Sequence, residues 1–136
     1  MRIMAVDYGD ARTGVAVSDM TGTLAGEAFV IEERDIAKLA VRIGEHAQER
    51  DVATIVLGNP KNMDGTLGER AEKSAALAEL LRTLGLAVAL WDERRTTIDA
   101  HRILSEHNVR GKKRKSTVDA VAATLILEGY LASLKP

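Results

Sequence analysis

The sequence predicts an α/β domain built on a mixed five-stranded sheet with helices on both faces. Three observations carry that reading. The opening third holds three strand-like runs joined by short, polar, glycine-bearing turns, as antiparallel hairpins are. The remainder alternates strand-like runs with helix-periodic segments, which implies parallel crossovers. The first run, Arg2-Ile3-Met4-Ala5-Val6-Asp7, is a short, nearly continuous apolar stretch stopped by Gly9, as expected of an interior strand covered on both sides.

The elements follow in order. After Arg2–Asp7 comes the turn Gly9-Asp10-Ala11-Arg12 and a second strand, Thr13–Ser18. A polar turn from Asp19 to Gly22 leads to a third strand near Ala28–Ile31. Ile36, Leu39, Ala40, Ile43 and Ala47 share one face of a helix over about Arg34–Arg50. The strand Ala53–Leu57 is stopped by Gly58-Asn59-Pro60. Thr66 and Glu69 have the spacing of a capping box, starting a helix that runs to about Leu84 with Gly85 as its stop. The strand Leu86–Trp91 follows, then a helix over Thr97–His107, a basic loop, and a last helix from Thr117 to about Ser133. No repeat, low-complexity stretch or linker interrupts the chain, so residues 1–136 are read as a single domain.

Composition narrows the function. Apolar residues make up 46% of the 136, enough for a core, yet no apolar run approaches the roughly 20 residues that span a bilayer. The chain starts directly in a strand, without a signal-peptide pattern, and a cytoplasmic protein with no membrane partner is expected. Cysteine is absent, which excludes disulfides, thiolate zinc sites and cysteine nucleophiles. The net charge of −1 hides a cluster, Arg110, Lys112, Lys113, Arg114 and Lys115, suited to gripping phosphates. With only 3% aromatic residues, stacking on bases is not the expected mode of recognition.

Three acidic positions stand out because each falls at the end of an element. Asp7 ends the first strand, Asp92-Glu93 follows the strand ending at Trp91, and Asp119 opens the last helix. Ligands of parallel sheets bind beyond the carboxyl ends of strands, which is where Asp92 and Glu93 fall; alternation alone does not choose between them. For each position a plainer reading competes. Asp7 and Arg12 suit a solvated hairpin turn, Asp92 and Glu93 a charged loop, and Ser116 with Asp119 has capping-box spacing. Arg12 could pair with a phosphate or a site carboxylate, Thr96 or Thr97 could cap the following helix, and Asn62 or Thr66 could line the same cleft. His46, His101 and His107 lack metal-ligand spacing, and no Ser-His-Asp pattern, P-loop or dinucleotide fingerprint occurs.

Taken together, three converging carboxylates are what magnesium or manganese requires, since hard divalent ions take oxygen ligands. Two such ions roughly 4 Å apart can assist an in-line displacement at phosphorus. On this reading Asp7 is the central metal ligand, with Glu93 and Asp119 completing the site.

At this level of detail the chain resembles the YqgF family of bacterial proteins. The matching residues are Val6-Asp7-Tyr8-Gly9 through Arg12-Thr13-Gly14-Val15-Ala16-Val17-Ser18-Asp19, Gly58-Asn59-Pro60 with Asn62-Met63-Asp64-Gly65-Thr66, Asp92 through Thr97, and Val118 through Ala123. Four such segments in order cover essentially the whole chain. The resemblance implies an RNase H-like fold and a metal-dependent nuclease, described either as a pre-16S rRNA maturation enzyme or as a Holliday junction resolvase. It implies the acidic triad Asp7, Glu93 and Asp119, choosing Glu93 over Asp92 by analogy. Arg12, Asn62, Arg94, Thr96, Thr97, Lys112, Lys113, Arg114 and Lys115 are the expected substrate-binding residues. Expected partners are structured RNA or branched DNA and ribosomal precursor particles, with the protein a monomer or homodimer. A non-catalytic nucleic-acid-binding factor is the alternative from another class.

Overall fold

A computed structural model describes residues 1–59, 68–92 and 111–134, the last segment with side chains from residue 120 onward. The elements are β1 (Arg2–Asp7), β2 (Arg12–Ser18), β3 (Ala25–Glu32), α1 (Ile36–Glu49), β4 (Val52–Asn59), α2 (Glu69–Thr83), β5 (Val88–Asp92) and α3 (Gly111–Ser133). They form one five-stranded sheet in the order β3-β2-β1-β4-β5. β1 pairs antiparallel with β2 and β2 with β3, whereas β1–β4 and β4–β5 are parallel. The expected mixed sheet is therefore present, with β1 at its centre.

Strand alternation divides the core into two layers, because successive side chains point to opposite faces. Met4, Val6 and Tyr8 of β1 join Val15, Val17, Ile55 and Leu57 under α1 and α2, which contribute Leu39, Ile43, Leu77 and Leu81. Ala5, Ala16 and Val56 face the other way, toward Ala123, Ile126, Leu127 and Leu131 of α3. Full burial of each large aliphatic side chain is worth about 1.5–3 kcal/mol. The second layer is lined by alanines on both sides, so α3 lies close across β1 and β2. Trp91 at the end of β5 packs edge-on against Tyr130, with ring centroids 5.9 Å apart, and Gly129 leaves room for its indole.

Helix ends follow local chemistry. Asp35 caps α1, its carboxylate accepting from the backbone N–H groups of Ala37 at 2.9 Å and Lys38 at 3.1 Å. Gly85 follows the last turn of α2 at φ 88°, the left-handed conformation expected of a helix stop. The N-cap of α2 is Gly68, without a side-chain bond, and Glu69 is the first helical residue, while Thr66 of the expected capping box lies outside the described residues.

α3 likewise begins at Gly111 and not at Thr117, so Lys112, Lys113, Arg114 and Lys115 are helical and not part of a loop. Lysine and arginine are good helix formers, and the tertiary packing of the downstream apolar stripe extends the helix through them. Ser116 is thereby inside the helix, and the cap reading of Asp119 falls away. Strand edges move too. β2 starts at Arg12, β3 spans Ala25–Glu32, and β5 spans Val88–Asp92. The helix expected over residues 97–107 lies outside the described residues.

Candidate active site

Asp7 is the last residue of the central strand, paired with Gly14 across β1–β2. It is 4% exposed, and among the described residues the other polar side chains buried to that degree, Thr13, Ser18 and Ser74, are uncharged. A carboxylate so withdrawn from water needs compensation by a cation or by hydrogen bonds. Alternation puts Asp7 on the side of Ile3 and Ala5, the side that α3 covers. In the helical register, position 119 is one turn before Ala122 and Ala123 and two before Ile126, which are buried against the sheet. Position 119 is thus carried by the helix that covers the Asp7 side of the sheet.

The turn after Asp7 is tight. A Cβ on Gly9 would collide with the Arg12 carbonyl oxygen, so only glycine fits. The Thr13 hydroxyl, fully buried, closes the turn by accepting from the Gly9 N–H at 3.3 Å. These contacts hold the end of β1 in place and with it the Asp7 backbone.

Cations reach this turn from α2, on the opposite side of the sheet from α3. Arg70 Nη2 donates to the Tyr8 carbonyl at 2.7 Å and stands 4.0 Å from Asp7 Oδ1. Lys73 Nζ pairs with Asp10 at 3.1 Å and with Glu69 at 3.5 Å. The Tyr8 hydroxyl donates to the same Asp10 oxygen at 3.4 Å. The Lys73 hydrogen bond lowers the Asp10 pKa and raises that of Lys73, while burial raises that of Tyr8. Sequence reading missed Arg70 and Lys73. A signal existed, since a cation at the second position of a helix opposes the macrodipole and calls for a partner elsewhere.

The remaining expected residues divide clearly. Arg12 opens β2 beside this turn. Asp92 ends β5 opposite Asn59 and is exposed; Trp91 belongs to the α3 layer, so Asp92 falls on the other side from Asp7. Glu93, Arg94, Thr96, Thr97 and Asn62 lie outside the described residues, as does Arg110. For Lys112, Lys113, Arg114, Lys115 and Asp119 the helical backbone alone is described.

For a divalent cation, the donor chemistry fits in kind: Asp7 offers carboxylate oxygens from a buried position. Among the described residues no group of three or more His, Asp or Glu side chains converges, two of the three expected ligands having undescribed side chains.

This architecture, antiparallel hairpins feeding parallel crossovers with a buried carboxylate ending the central strand, defines an RNase H-like domain. Solved structures with this fold include the Fowlpox virus resolvase bound to Holliday junction DNA (TM-score 0.65, 11% identity, all of both chains covered). Another is RuvC of Thermus thermophilus in complex with a Holliday junction substrate (TM-score 0.58, 13% identity, 98% of this chain and 94% of that one). At such identities the likeness shows the fold alone.

Sequence comparison is more specific. Residues 1–133 match the family model described as RuvX, Holliday junction resolvase, and the chain belongs to that family. A protein of Halothermothrix orenii is 47% identical over 133 residues, covering 96% of this chain and 94% of its own. One from Listeria monocytogenes is 46% identical over 134 residues, covering 96% and 97%. Both carry the name "Putative pre-16S rRNA nuclease". The resemblance drawn from the sequence motifs is borne out.

Proposed function

We propose that this chain is a divalent-metal-dependent endonuclease that hydrolyses phosphodiester bonds in the 5′ region of the small-subunit ribosomal RNA precursor. The observation that carries the reading is Asp7: a carboxylate 4% exposed at the carboxyl end of the central strand, on the side covered by the helix that bears Asp119. Asp7, Glu93 and Asp119 are the proposed ligands of magnesium, with manganese able to substitute. Two such ions, when bound, supply the charge that stabilises the attacking and leaving oxygens of an in-line displacement. The protein's part is to hold Asp7 rigidly through the Gly9–Thr13 turn and to keep water from its inner side. Water attacks the phosphorus, the P–O bond to the leaving oxygen breaks, and a proton is returned to that oxygen. Arg12, Asn62, Arg94, Thr96, Thr97 and the run Lys112–Lys115 are the proposed phosphate contacts, which position a backbone without reading its bases. The relatives' name supports ribosomal RNA precursor as substrate.

A second reading has its own support in the family's description: cleavage of a Holliday junction, which needs paired symmetric cuts and hence two active sites in a dimer. One experiment separates them. A precursor rRNA fragment and a four-way DNA junction are incubated with wild type and Asp7→Asn, with and without magnesium. Magnesium-dependent cleavage of RNA alone, lost in Asp7→Asn, is the expected result. Symmetric junction cuts would transfer the assignment to the second reading, and cleavage of neither would overturn both.

A further inference from the structure

Arg70 is outside every motif that pointed to the site, yet its guanidinium stands 4.0 Å from Asp7 Oδ1. The distance is too long for a strong hydrogen bond, and the donor it shares, Nη2, is already directed to the Tyr8 carbonyl at 2.7 Å. Arg70 therefore offers Asp7 charge rather than a bidentate clamp. The two partners differ sharply in environment: the Asp7 side chain is 5% exposed and that of Arg70 is 52% exposed. Removing the arginine strips compensation from a buried charge, whereas removing the carboxylate leaves a cation that water can still solvate. Anchoring to main chain fixes where the positive charge stands, and the mostly open guanidinium leaves the Asp7 oxygens approachable.

We propose that Arg70 is a positioning residue for Asp7, a built-in counter-cation that compensates this buried carboxylate before metal binds and so sets how tightly the metal is held. The proposal rests on the metal-dependent reading of the site. A permanent cation 4.0 Å from a ligand oxygen competes with an incoming divalent ion for the same negative charge. It weakens the complex, yet it keeps the turn ordered without the ion. Lys73 on the same helix face is engaged by Asp10 and Glu69 and so does not replace it.

Magnesium and manganese are titrated calorimetrically into full-length wild type, Arg70→Gln and Arg70→Lys. Glutamine removes the charge and keeps a donor for the Tyr8 carbonyl; lysine keeps the charge. Arg70→Gln is expected to bind metal roughly threefold or more tightly, and Arg70→Lys to stay within about twofold of wild type. In metal-free protein, Arg70→Gln is expected to lower the Tm in the wild-type background but much less in the Asp7→Asn background. Wild type binding metal with Arg70→Gln unchanged would overturn this role alone. Equal Tm losses in the two backgrounds would overturn it as well. If wild type bound neither metal, the metal-dependent function would fall and this inference with it.

Discussion

Two glycine-to-alanine substitutions separate two physical costs that the same mutation can carry. At Gly9 the backbone lacks a positive φ, but an added Cβ would run into the Arg12 carbonyl oxygen, which has no side-chain freedom to move aside. The turn must open. Overpacking of this kind costs about 1–3 kcal/mol, and losing the Thr13–Gly9 hydrogen bond adds about 1 kcal/mol. Gly9→Ala is therefore expected to destabilise by about 2–4 kcal/mol, a fall in Tm of roughly 10 °C for a chain of this size. At Gly85 the situation is reversed: φ is 88° and no atom lies within 4 Å of an added Cβ. Only left-handed strain remains, partly offset by the stiffer unfolded chain, so Gly85→Ala should cost about 1 kcal/mol. Urea unfolding gives both values at equal m. Nuclease activity gives the second contrast, because moving the end of β1 displaces Asp7, whereas Gly85 is at the far end of α2. A Gly9→Ala variant as stable as Gly85→Ala, or one with full activity, would refute the argument.

Other outcomes follow from the same structure. Glu27 pairs with Arg50 at 2.7 Å, which holds its pKa below the usual carboxylate value. A depressed pKa adds stability above the unfolded-state value, so wild type should exceed Glu27→Gln by about 0.2–1 kcal/mol at neutral pH. That gap should close as pH falls below the ordinary carboxylate range and through the depressed folded-state pKa, as followed by thermal unfolding across pH; a gap that persists at low pH would deny the ion pair this role. Ser74 is fully buried in α2, and its hydroxyl has no partner among the described residues. Ser74→Ala should be neutral or stabilise by up to about 1 kcal/mol in urea unfolding, since it removes an unsatisfied polar group. Neutralising Lys112, Lys113 and Arg114 together should weaken nucleic-acid binding and flatten its salt dependence, with magnesium affinity nearly unchanged. A collapse of metal affinity in that triple variant would make the basic turn of α3 structural.

Much of the architecture was legible in the chain alone because it rests on local periodicities. The apolar run of β1, the turn residues around Gly9 and the helical stripe Leu39–Ile43–Ala47 each declare their element within a few residues. The candidate acids were legible for the same reason, each standing at the end of such an element. Boundaries were less so. The basic run before Thr117 looked like a loop, since a charged stretch starting at glycine carries no apolar stripe, but packing of Ala122, Ala123 and Ile126 on the sheet carries helix back to Gly111.

By itself, then, the sequence determined the order and type of the described elements, the mixed sheet and the kind of donor the site offers. Tertiary structure decided what surrounds Asp7. Its assignment to the α3 layer, the separation of Asp92 onto the other side and the approach of Arg70 all follow from strand order and pairing. Arg70 and Tyr8 are 62 residues apart in the chain. No local pattern encodes such a contact; it exists because parallel β1 and β4 deliver the start of α2 to the edge where β1 ends.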